Sequence, residues 1–103
     1  MIKLAVAGKP ISHSLSPLLH ATAYEILGVE AQFLASEVSE DKFGDFYFNA
    51  KNNGYRGLAM TMPLKEISIG FVDRVDPIAK QIGSINTIIF ESTGSIGLST
   101  DLL

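Results

Sequence analysis

Residues 2–7, with the sequence IKLAVA, set the architecture of the chain, because they form a short, mostly apolar run that Gly8 closes. A polar loop follows over residues 9–15, and Ser16-Pro17 is a strong helix start. Serine caps free backbone N–H groups, and proline suits the first helical position because its missing N–H would have no partner there. Apolar residues then recur on one helical face as far as Gly28. A strand that leads into a helix predicts the first half of a parallel βαβ unit.

The same alternation of strand and helix continues through the middle of the chain. Apolar residues at positions i, i+3, i+4 and i+7 indicate a helix with a buried stripe, whereas apolar residues at every second position indicate a strand. The predicted elements are a strand over residues 31–36, a helix capped by Ser39 that buries Phe43, Phe46, Tyr47 and Ala50, a strand with Leu58, Met60 and Met62 that Pro63 ends, a short helix over residues 65–71, and a helix from Asp76-Pro77 to Gly83.

The end of the chain has the pattern of a hairpin. Residues 85–90 are rich in β-branched side chains, Ser92-Thr93-Gly94 has the composition of a turn, and residues 95–99 return as the antiparallel partner. The sum is one α/β domain over residues 1–103, with an open mixed, mostly parallel sheet flanked by helices and a C-terminal antiparallel hairpin.

The composition limits the kinds of partner. Eight lysines and arginines against eleven acids give a net charge of −3, and no basic run stands out, so binding to nucleic acid or to a membrane surface is not expected. The absence of cysteine excludes disulfides and thiolate metal sites. His13 and His20 lack a third ligand at a useful spacing, so no metal is expected. Without disulfides or a signal-peptide pattern, a cytoplasmic location is expected.

Polar residues gather in four segments that flank the predicted strands. They are Gly8–Pro17, which contains Ser14 and Ser16, then Thr61–Lys65, Gly83–Thr87 with Asn86, and Ser99–Asp101. In open α/β sheets, ligands bind in the crevice beyond the carboxyl ends of the strands. Each segment also has an ordinary explanation, as a cap, a turn or a solvated surface charge, so no single segment identifies a site.

Taken together and in this order, the four segments resemble the N-terminal, substrate-binding domain of the shikimate dehydrogenase family. That domain carries a G-x-P-I-x-H-S-x-S-P loop, here Gly8–Pro17, and a T-x-P-x-K segment, here Thr61–Lys65. It also carries a G-[AS]-x-N-T segment, here Gly83–Thr87, and closes with an N-T-D-type segment, here Ser99–Asp101. The resemblance covers essentially the whole chain.

The resemblance implies a dehydrogenase that reduces 3-dehydroshikimate reversibly to shikimate with NADP, in the biosynthesis of chorismate and the aromatic amino acids. Lys65 and Asp101 would be the catalytic pair beside the hydroxyl that is oxidised, and which of the two is the base stays open. A lysine–carboxylate couple there can hold and relay the hydroxyl proton. The implied substrate-binding residues are Ser14 and Ser16 for the carboxylate, Thr61 and Asn86 for ring hydroxyls, and Lys65 and Asp101.

Two departures from the family pattern keep other functions open. Ala59 stands where the family often has asparagine, and Ser99 and Leu102 stand where it has asparagine and glycine around T-D. A quinate/shikimate or related cyclitol dehydrogenase is therefore one alternative. A non-catalytic small-molecule binding or assembly domain of the same fold is the other, although a pure binding module has no need for both Lys65 and Asp101.

The nine glycines never form the G-x-G-x-x-G pattern of a dinucleotide site. In the family, the cofactor domain follows the N-T-D segment. The expectation is therefore that the NADP-binding Rossmann domain is absent from this chain, that the 103 residues alone are inactive, and that no cofactor binds to them. A C-terminal helix that the family folds onto this domain would also be missing, so self-association as a homo-oligomer through the uncovered apolar surface is expected.

Overall fold

A computed structural model of the protein describes residues 2–8 and 31–99, without the side chains of residues 2 and 31–33. The predicted loop over residues 9–15 and the predicted helix from Ser16 to Gly28 lie outside the described residues. Described are strands β1 (Ile2–Gly8), β2 (Ala31–Glu37), β3 (Gly57–Met60), β4 (Arg74–Val75), β5 (Thr87–Glu91) and β6 (Gly94–Leu98), helices α1 (Phe43–Asn52), α2 (Leu64–Ile67) and α3 (Pro77–Ile82), and 3-10 turns at Glu40–Lys42 and Ser68–Gly70.

The six strands form one mixed sheet in the order β2-β1-β3-β5-β6-β4. Strand β1 pairs in parallel with both β2 and β3, which confirms the predicted parallel units. Strand β5 is antiparallel to β3 and to β6, which confirms the C-terminal hairpin. The edge strand β4 was not predicted, since its two residues, Arg74 and Val75, are too few to show a period. They pair in parallel with Ile96 and Gly97 of β6.

The main hydrophobic core lies between the sheet and α1. Phe43, Tyr47 and Ala50 are buried, as the helical spacing predicted, and Phe46 packs against them. The small side chains of Ala5 and Ala7 on β1 belong to the same cluster and leave room for the aromatic rings. Burying a large apolar side chain stabilises a fold by roughly 1.5–3 kcal/mol, so this stripe holds α1 against the sheet.

The limits of two helices show where local signals are sufficient and where they are not. At α3 the Asp76 carboxylate accepts a hydrogen bond from the Ile78 N–H at 3.1 Å, and Gly83 ends the helix with a φ of 83°, as predicted. The predicted cap at Ser39 is wrong in detail. Ser39 precedes the 3-10 turn, but its hydroxyl donates to the Asp41 carboxylate and caps no backbone N–H. In the described part of the chain, no helix is long and apolar enough to cross a membrane.

The third strand is shorter than its pattern predicted. It ends at Met60, and Met62, predicted as its last buried residue, is 72% exposed. The chain leaves the sheet after Met60 because the Thr61 carbonyl accepts the Leu64 N–H at 3.0 Å, which closes a turn into α2. This turn brings Lys65 back toward the edge of the sheet.

A polar cluster ties the start of β6 to α1. Ser95 is fully buried, and its hydroxyl lies 2.7 Å from the Tyr47 hydroxyl and accepts the Asp73 N–H at 3.2 Å. The Ser95 N–H donates to the Asp73 carboxylate at 2.8 Å. This hydrogen bond, more than the nearby charges of Lys51 and Arg74, holds the pKa of the Asp73 carboxyl below its usual value.

Candidate functional site

One edge of the sheet collects the ends of four strands. Because β1 and β3 are parallel, their carboxyl ends meet there, and the antiparallel β5 begins at the same edge. Strand β6 runs back and ends beside the first residue of β5, since Leu98 pairs with Thr87. Gly8, Thr61, Asn86 and Ser99 therefore lie along the same edge, as expected for a ligand site in an open α/β sheet.

The backbone of Asn86 connects three of these segments. The Met60 N–H donates to the Asn86 carbonyl at 2.8 Å, and the Asn86 N–H donates to the Leu98 carbonyl at 2.9 Å. The residues that follow Met60 and Leu98 are Thr61 and Ser99. The Thr87 hydroxyl donates to Asn86 Oδ1 at 2.9 Å and orients the side-chain amide. Two backbone hydrogen bonds, to Met60 and Leu98, and one side-chain hydrogen bond, to Thr87, thus fix the position of Asn86.

The Lys65 carbonyl is hydrogen-bonded to the residue that precedes Asn86. The Ile85 N–H donates to the Lys65 carbonyl at 2.8 Å, and the hydroxyl of the buried Ser68 approaches the same oxygen at 3.4 Å. Because Ile85 directly precedes Asn86, one backbone bond couples the position of Lys65 to that of Asn86. The sequence offered no signal for the role of Ser68.

Thr61 is the residue where β3 turns into α2. Its N–H donates to the Ala7 carbonyl at 2.9 Å, so its backbone stays fixed to the end of β1. The next residue of β1, Gly8, lies so close to Thr61 that a Cβ there would overlap the threonine methyl group. Sequence reasoning did not connect the two, although a glycine at a strand end is a known sign of close backbone approach.

An open groove of about 470 Å³ borders Lys65. Small-molecule sites usually have volumes of about 300–1,000 Å³, and the volume of this groove lies within that range. Its lining combines the cation with two carboxylates and an exposed methionine: Glu40, Met62, Pro63, Lys65, Glu66, Ile67 and Ser84.

The structure places some of the predicted site residues and not others. Thr61, Lys65 and Asn86 come together at one edge and are each partly exposed. Ser14, Ser16 and Asp101 lie outside the described residues. Ala59, one of the two departures, sits in the middle of β3 opposite Val6 and Thr87. Because side chains alternate along a strand, Ala59 faces away from the core that Leu58 and Met60 enter.

The described residues do not fit a dinucleotide cofactor. Such a site needs a glycine-rich turn that leads from a strand into a helix. The described helices are instead preceded by Lys42, Pro63 and Asp76. Within residues 2–8 and 31–99, no three histidine, aspartate or glutamate side chains come together as a metal site. The edge of the sheet offers hydroxyl, amide and ammonium groups, which suit a polar organic ligand.

Comparison with known proteins agrees with this geometry. Residues 6–88 match the family model of the shikimate dehydrogenase substrate binding domain. The shikimate dehydrogenase (NADP(+)) of Bacillus cytotoxicus is 41% identical over 93% of this chain and 35% of its own length. The chain thus spans about a third of that curated relative.

Two solved structures have the same fold. The shikimate 5-dehydrogenase of Thermus thermophilus, in complex with NADP(H) and shikimate, is 35% identical, with a TM-score of 0.80 over 95% of this chain and 37% of its own. Shikimate dehydrogenase 1 of Peptoclostridium difficile is 33% identical, with a TM-score of 0.83 over 98% and 37%. The resemblance drawn from the four motifs is confirmed, and the chain belongs to the family of shikimate dehydrogenase substrate binding domains.

Proposed function

We propose that this domain binds shikimate and 3-dehydroshikimate and supplies the substrate half of an NADP-dependent shikimate dehydrogenase in chorismate biosynthesis. The observation that carries the proposal is the backbone frame around Asn86. Through it, Thr61, Asn86 and Lys65 lie at one edge of the sheet in the order that the family uses. The Thermus relative, which was solved with NADP(H) and shikimate, supports the same substrate.

The family resemblance assigns each group a role that its chemistry can perform. The Thr61 hydroxyl and the Asn86 amide bind ring hydroxyls, since both can donate and accept hydrogen bonds. Ser14 and Ser16 bind the carboxylate. Lys65 and Asp101 lie on either side of the hydroxyl that becomes the ketone and take up its proton, which a positioned acid–base pair accelerates by about 10²–10⁴-fold.

NADP accepts or supplies the hydride in this reaction. The described residues do not fit it, and the family resemblance assigns it to a separate cofactor domain, so we propose that residues other than these 103 hold the nicotinamide against the substrate. The 103 residues alone would then bind the substrate without turning it over. The expected cytoplasmic location and the expected self-association belong to the same proposal, and fractionation and sedimentation test them.

A quinate/shikimate dehydrogenase is the second candidate, because of Ala59. This residue faces away from the core on the strand that ends beside Thr61. An alanine there provides no hydrogen bond to a ring hydroxyl, and quinate differs from shikimate in its ring. A clear preference for quinate over shikimate in the same titration would favour this candidate.

A titration with shikimate, followed by two-dimensional NMR, tests the proposal. The amide signals of Thr61, Lys65 and Asn86 should shift, and Lys65→Ala should weaken binding. Lys80→Ala, which removes an exposed lysine from α3, is the matched control and should bind as the wild type does. Absence of shifts at the three residues, or equal binding by Lys65→Ala, would contradict the proposal.

A further inference from the structure

Gly8 and Thr61 lie against each other at this edge of the sheet. A Cβ placed on Gly8 would overlap the Thr61 methyl carbon Cγ2 and would lie 3.4 Å from the Thr61 Cβ. Two nonbonded carbons cannot occupy the same space, so glycine is the residue that lets this methyl group lie against the end of β1. No positive φ is involved at Gly8, and the constraint is therefore one of space.

Neither backbone is free to move away. Gly8 pairs with Glu37 in the β1–β2 ladder, and its carbonyl accepts the Val38 N–H at 2.9 Å. The Thr61 N–H is bonded to the Ala7 carbonyl, also at 2.9 Å. A side chain at position 8 would therefore be accommodated by rotation of the Thr61 side chain about χ1. The Met62 carbonyl, 3.1 Å from the same Cβ, would have to shift by a few tenths of an ångström.

Rotation about χ1 has a defined consequence. Threonine has three staggered positions on Cβ, filled by the methyl group, the hydroxyl and a hydrogen. Only the hydrogen is small enough for the position beside an added Cβ. Because the order of the three substituents is fixed by chirality, the rotation of about 120° that brings the hydrogen there also brings the methyl group to the place now held by the hydroxyl. A methyl group would then stand where the wild-type protein presents its hydroxyl.

The Thr61 hydroxyl has no hydrogen-bond partner within residues 2–8 and 31–99, so none of these residues holds it in place by a hydrogen bond. The space beside Gly8, which the methyl group fills, admits this orientation of the hydroxyl. We propose that Gly8 is a positioning residue for substrate: its missing Cβ permits the χ1 angle of Thr61 at which the hydroxyl, and not the methyl group, meets a ring hydroxyl of the ligand. The identity of the ligand, shikimate, rests on the proposed function. The effect of Gly8 on the χ1 angle of Thr61 rests on the geometry alone.

The test combines substitutions at the two positions with two independent measurements. Gly8→Ala should change the three-bond couplings of Thr61 Cγ2 to the backbone nitrogen and carbonyl carbon, which report χ1 without ligand. It should also weaken shikimate binding about tenfold, as expected for the loss of one hydrogen bond to a desolvated hydroxyl. Thr61→Ser removes the methyl group and keeps the hydroxyl. In the T61S background, G8A should change the affinity by less than about twofold. Gly70→Ala, at an exposed glycine with no neighbour within 4 Å of the added Cβ, is the control and should match the wild type.

The possible outcomes separate this inference from the proposed function. Unchanged Thr61 couplings in G8A, or equal weakening of binding by G8A in both backgrounds, would overturn the role of Gly8. If the couplings change but the wild-type protein does not bind shikimate, the role of Gly8 in setting the side chain stands and the proposed function fails. If G8A does not fold, urea unfolding is measured for G8A in the wild-type and in the T61S background. Rescue of folding by T61S supports the inference, and loss of folding in both backgrounds overturns it.

Discussion

The two ends of the β5–β6 hairpin differ in how polar side chains are used. At the Gly94 end, Ser95 bonds to both Tyr47 and Asp73, and Tyr47 and Ser95 are buried. At the Asn86 end, the backbone is fully engaged by Met60 and Leu98, while the side chain of Asn86 stays partly exposed. Polar groups at the first end hold the fold together. At the second end, backbone bonds hold the fold, and the proposed function assigns the partly exposed side chains to a ligand.

The largest expected effect separates chemistry from stability at the Asn86 end. In the assembled dehydrogenase that the proposed function requires, Lys65→Ala and Asp101→Asn should each lower kcat by about 10²–10⁴-fold, because the proton of the substrate hydroxyl loses its acceptor or relay. Steady-state kinetics with shikimate and NADP⁺ measure this, and urea unfolding should be nearly unchanged. Near-normal turnover in both variants would contradict the proposal that Lys65 and Asp101 are catalytic residues. Lys80→Ala is again the matched control.

Gly97→Ala, a substitution within the hairpin, tests the backbone hydrogen bonds around Asn86 and Lys65. A Cβ on Gly97 would lie 2.7 Å from Ile85 Cδ1, so Gly97→Ala should displace Ile85, whose N–H holds the Lys65 carbonyl. Overpacking of this kind costs about 1–3 kcal/mol, and shikimate binding should weaken as well. Ile85→Val removes Cδ1 and should restore much of both losses. Chemical denaturation and NMR titration measure them, and an absence of rescue would show that the frame does not run through Ile85.

At the Gly94 end, stability should change without any change in binding. Ser95→Ala leaves the buried Tyr47 hydroxyl without its partner and should lower the free energy of unfolding by about 1–2 kcal/mol. Tyr47→Phe combined with Ser95→Ala should cost less than the sum of the two single changes, since both remove the same bond. Chemical denaturation measures the stability. Loss of shikimate affinity in Ser95→Ala would contradict the separation of the two ends.

The smallest expected effect is the pH dependence due to Asp73. Its pKa is lowered in the folded state, chiefly by the Ser95 N–H, so the folded protein favours the ionised carboxylate more than the unfolded chain does. The resulting stabilisation is present above the unfolded pKa and is lost as the pH falls through the lower folded value. Urea unfolding at pH values from about 6 down to 2 measures the slope. Asp73→Asn should flatten it, and an unchanged slope would assign the dependence to other groups.

Much of the fold was predictable because its signals are local. The stripe of Phe43, Tyr47 and Ala50 lies within two turns of one helix, and the cap at Asp76 needs only residues up to Ile78. The errors occurred where another local hydrogen bond competed with the expected pattern. Met62 continues the alternation of β3, yet the turn closed by Leu64 takes it out of the sheet.

For the site, the residue types and their order could be read from the chain alone: Thr61, Lys65 and Asn86, which the motifs identified and the fold brings together. What holds these residues in place depends on the folded molecule. The bond from Ile85 to Lys65 and the contact of Gly8 with Thr61 each join residues far apart in the chain. Periodicity reports which face of an element is buried, but hydrogen bonds and steric contacts between elements depend on how the strands are ordered in the sheet. That ordering is a property of the assembled core, and so the geometry of the site is too.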